Sequence, residues 1–193
     1  MDGEVYYYGP ILPAQEATVY QAELMATTVW RHDEVTLFGK HITTAREVAW
    51  YGDQHFSYRY SGRTKVALPW SATLRSLKAL IEERSGARYN SCLINLYHSG
   101  DEGMGWHSDD EKELTPQGAI ASLSLGAERR FSLRHKVTGE TIHVTLEHGS
   151  LLLMKGATQT HWLHRLPPAR RIREPRINLT FRSMRRQGPE AAS

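Results

Sequence analysis

Apolar residues change their spacing along this chain, and the changes mark its elements. After Pro13, Ala17, Tyr20, Leu24 and Val29 recur at roughly helical intervals, which predicts a helix from Pro13 to about Trp30. From Glu34 to Gly62 short strand-like runs take over. Val35-Thr36-Leu37-Phe38 stops at Gly39, and Ser57-Tyr58-Arg59-Tyr60 stops at Ser61-Gly62. Pro69-Trp70-Ser71 opens a second helix with Leu74, Leu77, Leu80 and Ile81 on its apolar side, closed by Ser85-Gly86. Beyond it the pattern is almost entirely β, with strands predicted at 92–97, 120–125, 130–135, 141–146, 150–154 and 176–184, separated by glycines. Two helices followed by many short strands predict an α+β fold, mainly β, in which a jelly roll carries helices packed on its sheet.

The last of these strands has unbroken alternation. In Arg176-Ile177-Asn178-Leu179-Thr180-Phe181-Arg182, the three apolar residues fall on one face, and both arginines fall on the other with Asn178 and Thr180. Two arginines are costly to bury unless an anion meets them. The strand is therefore either a solvent-facing edge or a site for a dicarboxylate, to which arginine offers a two-pronged donor. Asn95 and Tyr97 share a face of the 92–97 strand and supply neutral groups suited to the same ligand.

Composition narrows the picture. The 193 residues suffice for one domain with a sizeable core. The single cysteine, Cys92, excludes an internal disulfide framework and a cysteine-based zinc site. Met1 to Pro10 lacks the basic-then-apolar order of a signal peptide, and no apolar run is long enough to span a membrane. The expected location is the cytoplasm for a bacterial protein or the nucleus for a eukaryotic one, with no membrane partner. The net charge of +3 is mild but unevenly spread. Residues 1–30 have no lysine or arginine, whereas Arg165 to Arg186 contains eight arginines and one acid, Glu174. That basic end is either a solvated tail or a polyanion-binding surface. Arg46, Arg59, Arg63 and Lys65 lie near Tyr58 and Tyr60, which share a face and can either pack on a sheet or stack on a base.

His107-Ser108-Asp109 is the candidate metal fragment. In extended backbone, residues i and i+2 point the same way, so His107 and Asp109 can converge. A second histidine would complete the two-histidine, one-carboxylate arrangement of non-haem iron oxygenases. His135, His143, His148, His161 and His164 are all candidates. If residues 160–166 are extended, His161 and His164 face opposite ways and only one points inward. A metal site beside a dicarboxylate site points to 2-oxoglutarate.

Asn95-x-Tyr97, His107-Ser108-Asp109, His164-Arg165-Leu166 and Arg176-x-Asn178-Leu179-Thr180-Phe181-Arg182 together resemble the AlkB family of Fe(II)/2-oxoglutarate dioxygenases, in order across residues 95–182. The resemblance extends back through Tyr58-x-Tyr60-Ser61-Gly62 and Phe38-Gly39-Lys40, and is strongest to the DNA-acting human homologues and their bacterial relatives. It implies a double-stranded β-helix at about residues 89–184, preceded by supporting helices and a hairpin nucleotide-recognition lid, and followed by a flexible tail at 185–193. It implies that His107, Asp109 and His164 bind Fe(II). Arg176 would hold the distal carboxylate of 2-oxoglutarate with Asn95 and Tyr97, while Asn178 and Arg182 lie near the keto-acid end, Arg182 joining the catalytic set. Glu111 would contact the damaged base, Tyr58 and Tyr60 would cover it, Arg46 would assist in substrate binding, and Phe38 would fill the vacated stack. The implied reaction is oxidative demethylation of 1-methyladenine- or 3-methylcytosine-type bases in DNA or RNA. It consumes O2 and 2-oxoglutarate and releases formaldehyde, succinate and CO2. A monomer is expected. Two rival readings share part of this set: a 2-oxoglutarate oxygenase acting on protein or a small metabolite, and a non-catalytic nucleic-acid-binding jelly roll.

Overall fold

The computed structural model describes residues 2–37, 40–53, 56–60 and 63–185, with backbone alone at 34–37, 40–42, 57–60 and 63–65. In chain order the elements are β1 (Glu4–Pro10), α1 (Ala14–Thr27), β2 (Arg31–Leu37), β3 (Lys40–Gly52), β4 (Ser57–Tyr60), β5 (Arg63–Val66), β6 (Leu68–Pro69) and α2 (Ala72–Ser85). Then come β7 (Ser91–Tyr97), β8 (Met104–His107), β9 (Ile120–Gly126), β10 (Arg129–His135), β11 (Thr141–Leu146), β12 (Ser150–Lys155), α3 (Thr158–His161), β13 (Trp162–Leu166) and β14 (Arg176–Arg182). The large sheet runs β1-β12-β9-β14-β7-β3-β2, with short β6 beside β3. A smaller sheet runs β11-β10-β13-β8, and β4 and β5 form a separate pair. The predicted mainly-β fold is present, and the two sheets face each other as in a jelly roll. Among the described residues no helix is long and apolar enough to cross a membrane.

Local chemistry explains the boundaries. α2 begins where the Ser71 side chain accepts a hydrogen bond from the Leu74 backbone N–H, and ends at Gly86, whose φ of +67° lies in the left-handed region. α1 stops at Thr27, before the predicted end at Trp30, and Thr28 is already extended. Thr27, Thr28 and Val29 are β-branched, which weakens a helix and favours extended backbone. β1 and the long β3 were not expected. β1 pairs with β12, and β3 pairs with β7, so strands from the first 52 residues extend the sheet built by the later ones.

Alternation in the large sheet creates two compartments. On one face Cys92, Ile94, Leu96, Leu123, Leu151, Leu153, Ile177, Leu179 and Phe181 pack against Ala17 and Leu24 of α1 and Leu74, Leu77 and Ile81 of α2. Trp70 lies parallel to the Phe181 ring, with centroids 6.3 Å apart. On the other face, Tyr97, Ile120, Leu152 and Met154 meet Phe131, Leu133, Leu146 and Leu166 of the smaller sheet. β14 hydrogen-bonds to both β7 and β9, so it is central, and the solvent-facing-edge alternative does not hold. Cys92 is fully buried and burial pushes its thiol up, which removes it as a nucleophile.

Replacing Phe181 by Ala should destabilise the fold by about 3–5 kcal/mol, because a packed aromatic leaves a cavity against Trp70 and Tyr89. Chemical denaturation at constant m-value measures it.

Candidate metal and keto-acid site

Two strands deliver the metal-ligand candidates. β8 and β13 are neighbours in the smaller sheet, and His107 lies directly opposite His164 in the register. Their rings meet edge to face, with centroids 4.2 Å apart. The register shifts between this pair and the next, Leu166 with Met104. Such a bulge lets Met104 and His107, three residues apart, both line the same interior cavity. Asp109 follows at the strand end, its Oδ1 3.9 Å from His107 Nε2 and 4.0 Å from His164 Nε2. The ligand atoms of all three lie within 4.8 Å of one another.

Surrounding groups fix their orientation. His107 Nδ1 is 2.8 Å from the Gly105 carbonyl, which can only accept, so this nitrogen carries the proton and Nε2 keeps its lone pair for the site. The Asp109 N–H donates to Gln159 Oε1 at 2.9 Å, and Ser108 Oγ donates to the Trp162 carbonyl at 3.0 Å. Burial pushes the His164 imidazole down to about 4, with Asp109 opposing that shift and His107 adding to it, so at neutral pH it is an uncharged donor. Two imidazoles and a carboxylate suit a divalent transition metal and leave further coordination positions open.

The other histidines are elsewhere. His161 ends α3, so the strand rule applies only from Trp162 onward, and its ring lies against His135, 6.1 Å away. His143 hydrogen-bonds Ser132 on the far side of the smaller sheet. His148 accepts from the Gly126 N–H near α1.

The same cavity is lined at its other end by the polar face of β14 with Asn95 and Tyr97. Arg176 is 2% exposed. It donates to Ser124 Oγ (2.9 Å) and Asn178 Oδ1 (3.0 Å), and its guanidinium lies 5.5 Å from the Tyr97 ring centre. Burial lowers its pKa to about 10, which still leaves it charged at neutral pH. Its Nε has no hydrogen-bond partner, and among the described residues no carboxylate pairs with it. A buried, charged, incompletely satisfied arginine fits a ligand carboxylate. Ser122 donates to Asn178 Oδ1, and Asn178 Nδ2 donates to Thr180 Oγ1, so the polar face is a connected network. At the metal end Arg182 lies 4.0 Å from Asp109 Oδ2 and donates to Glu111 Oε1 at 3.1 Å.

The expected substrate contacts are placed differently from one another. Glu111 lines an open groove of about 630 Å³ that begins at Asp109 and includes Asp110, Lys112, Gln159 and Arg182. Arg46 reaches inward along the large sheet, pairing with Asp33 at 2.8 Å and donating to Asn95 Oδ1 at 3.3 Å. Tyr58 and Tyr60 pair with Lys65 and Arg63 in the backbone register of β4 and β5. Phe38 lies outside the described residues.

Sequence reasoning missed Gln159, Ser122, Ser124, Phe131 and Arg129. The serines carried a signal, since Ile120-Ala121-Ser122-Leu123-Ser124-Leu125 puts both on one face of β9. Phe131 packs 5.5 Å from the His164 ring. Arg129 is 1% exposed and donates to the carbonyls of Ser99, Glu102 and Pro167, tying the β7–β8 turn to the end of β13.

The profile of the 2OG-Fe(II) oxygenase superfamily matches residues 4–182. The mouse DNA oxidative demethylase ALKBH2 is 42% identical over 159 residues, covering 78% of this chain and 66% of that protein. The human alpha-ketoglutarate-dependent dioxygenase alkB homolog 3 is 45% identical over 149 residues, covering 72% and 51%. The chain thus spans about half to two thirds of the length of these curated relatives. A solved 2OG-Fe(II) oxygenase-family oxidoreductase from Burkholderia pseudomallei shares the fold, with a TM-score of 0.62 at 16% identity, covering all of this chain and 89% of that one. The structure of OsALKBH1 aligns with a TM-score of 0.61 at 14% identity, covering 93% and 97%. The cavity that joins two histidines and an aspartate to a buried arginine is therefore no isolated coincidence of side chains: the chain belongs to the 2OG-Fe(II) oxygenase superfamily, as an AlkB homologue.

Proposed function

We propose that this protein is an Fe(II)/2-oxoglutarate-dependent dioxygenase that removes N-methyl groups from damaged bases in DNA or RNA. The observation that carries the reading is the single cavity with the His107–Asp109–His164 cluster at one end and the charged, incompletely paired Arg176 at the other. The names of the ALKBH2 and alkB homolog 3 relatives support it. Bound Fe(II), with O2 and the keto acid, supplies the oxidising chemistry. One oxygen atom goes to succinate as 2-oxoglutarate loses CO2. The other goes to the N-methyl carbon; the resulting N-hydroxymethyl group leaves as formaldehyde, the C–N bonding pair returns to the base nitrogen as its lone pair, and the hydroxyl proton is released.

The residues do the positioning. His107, Asp109 and His164 hold the metal. Arg176 offers a charge-assisted pair to the distal carboxylate, with Tyr97 and Asn95 beside it. Asn178 keeps Arg176 in orientation, and Arg182 steadies the Asp109–Glu111 side. The substrate base, pulled from its stack at a cost of a few kcal/mol, enters from the groove at Glu111, and β4–β5 with Tyr58 and Tyr60 serves as its cover. Asp110 and Glu111 favour a base that methylation has made cationic. Residues 89–184 form the oxygenase core and the earlier residues its support, in a monomer.

The deciding experiment incubates the protein with Fe(II), 2-oxoglutarate and oligonucleotides carrying 1-methyladenine or 3-methylcytosine. Formaldehyde and succinate are expected in equal amounts. Succinate without base-dependent formaldehyde would move the substrate to protein or a small metabolite. Asp109→Ala should weaken Mn(II) affinity by more than the roughly 10- to 100-fold typical of losing an outer partner, as read by calorimetry. Arg176→Gln should raise the 2-oxoglutarate dissociation constant by about 30-fold or more, since truncating one member of a buried charge pair costs roughly 2 kcal/mol at least. Glu111→Gln keeps an acceptor for Arg182 but removes a charge. It should slow turnover of cationic methylated bases while substrate-independent succinate formation persists. Equal loss of both would remove Glu111 from base recognition.

A further inference from the structure

The outer face of the smaller sheet carries a second charged groove. Alternation that turns His107 and His164 toward the cavity turns their neighbours Trp106 and Arg165 outward. The guanidinium groups of Arg134 and Arg165 each lie 4.4 Å from the Trp106 indole centre. Cation–π contact with one indole holds the two arginines in place. Arg130 is exposed two residues before the buried Ser132 on β10, and His143 lies across from Ser132 on β11. The groove of about 650 Å³ is lined by Trp106, Arg130, Arg134, His143 and Arg165 together with small or neutral residues, and no acid lines it. Among the described residues no carboxylate pairs with Arg130, Arg134 or Arg165, and Arg165 Nε is buried without a partner.

We propose that this face binds the phosphate backbone of a nucleic-acid strand, outside the nucleotide whose base reaches the metal. It rests on the nucleic-acid reading above. Arg130 and Arg134 are four residues apart along β10, about 13 Å. That is about the rise of four nucleotides of a B-form strand at roughly 3.4 Å each. Guanidinium forks match phosphate oxygens, and a groove lined by three arginines and no acid suits backbone rather than base identity. β8 is the edge strand of the smaller sheet, so a chain that crosses this edge can touch the groove and the cavity side in turn. The site therefore takes flanking nucleotides and acts on affinity and length dependence, without regard to sequence.

The test uses the full chain loaded with Mn(II), and fluorescein-labelled unmodified oligothymidylates of about 5 and 25 nucleotides, titrated by anisotropy across a salt series. Single-strand binding loses roughly 0.7 in the log–log salt slope per phosphate contact removed. The Arg130→Gln, Arg134→Gln, Arg165→Gln triple variant should therefore bind the long strand with a slope smaller by about 2 and an affinity at least tenfold weaker at low salt. Its affinity for the short strand and its substrate-independent succinate production should match those of the unaltered protein. Should removal of the stacked arginines prevent folding, Arg130→Glu at an exposed position still tests the site, with an expected slope loss of about 0.7. An unchanged slope in a folded variant overturns this inference alone. Failure of the unaltered protein to bind either strand overturns it together with the nucleic-acid reading. Tighter binding of poly-glutamate than of the long strand would assign the face to an acidic protein partner and overturn it as well.

Discussion

Everything at the site depends on the two-residue alternation of β14. Ile177, Leu179 and Phe181 are fully buried against the helices, which anchors the strand in one register. A slip by one residue would drive Arg176 and Arg182 into that apolar layer, where an unpaired charge costs several kcal/mol. The apolar face thus holds the polar face in position. β7 and β9 repeat the device on either side, so Asn95, Tyr97, Ser122 and Ser124 arrive beside Arg176 and Asn178 without a loop to place them. Sites on regular strands are held more tightly than sites on loops.

The metal end uses the opposite sheet and a different device. His107 and His164 are cross-strand partners, close enough for their rings to touch, and the bulge beside them directs two residues of β8 inward. Asp109 has already left the strand and needs Gln159 to hold its backbone. Both ends of the cavity are therefore fixed to sheets that close over a shared apolar cluster of Phe131, Leu133, Leu146 and Leu152. Holding a metal on one sheet and a carboxylate on the other makes the distance between them a property of sheet packing.

Legibility followed the strength of the local pattern. β14, β7 and α2 were readable because their alternation or capping is unbroken, and the residues that line the cavity came with them. β1 was not, because its side chains are mostly exposed and its three consecutive tyrosines give no period-two burial. α3 interrupted the segment from which His161 was judged, so the rule for opposite faces did not reach it. Gln159 and Arg129 were invisible for a different reason. They act through backbone carbonyls and N–H groups of residues distant in sequence, and any polar residue type is compatible with such a role. Periodicity left His164 as one candidate among five, and only the family resemblance singled it out; proximity to both His107 and Asp109 needs the fold.

The arginines between residues 165 and 182 show how little a charge count says by itself. One stretch, read as a basic end, divides by strand face and loop into three environments. Arg176 and Arg182 are buried in the cavity, Arg165 stacks on an outward tryptophan, and Arg173 stands 3.5 Å from Asp101 on the surface. The first environment is the most deeply buried, and a ligand in the cavity can relieve its desolvation cost. A dicarboxylate bound at 100 times its dissociation constant would stabilise the folded chain by about 2.7 kcal/mol if it binds only that state. Arg176 is then a charge that the unliganded fold tolerates through Ser124, Asn178 and Tyr97, and that the ligand completes. The instability left in the polar face and the affinity for a keto acid have one physical origin.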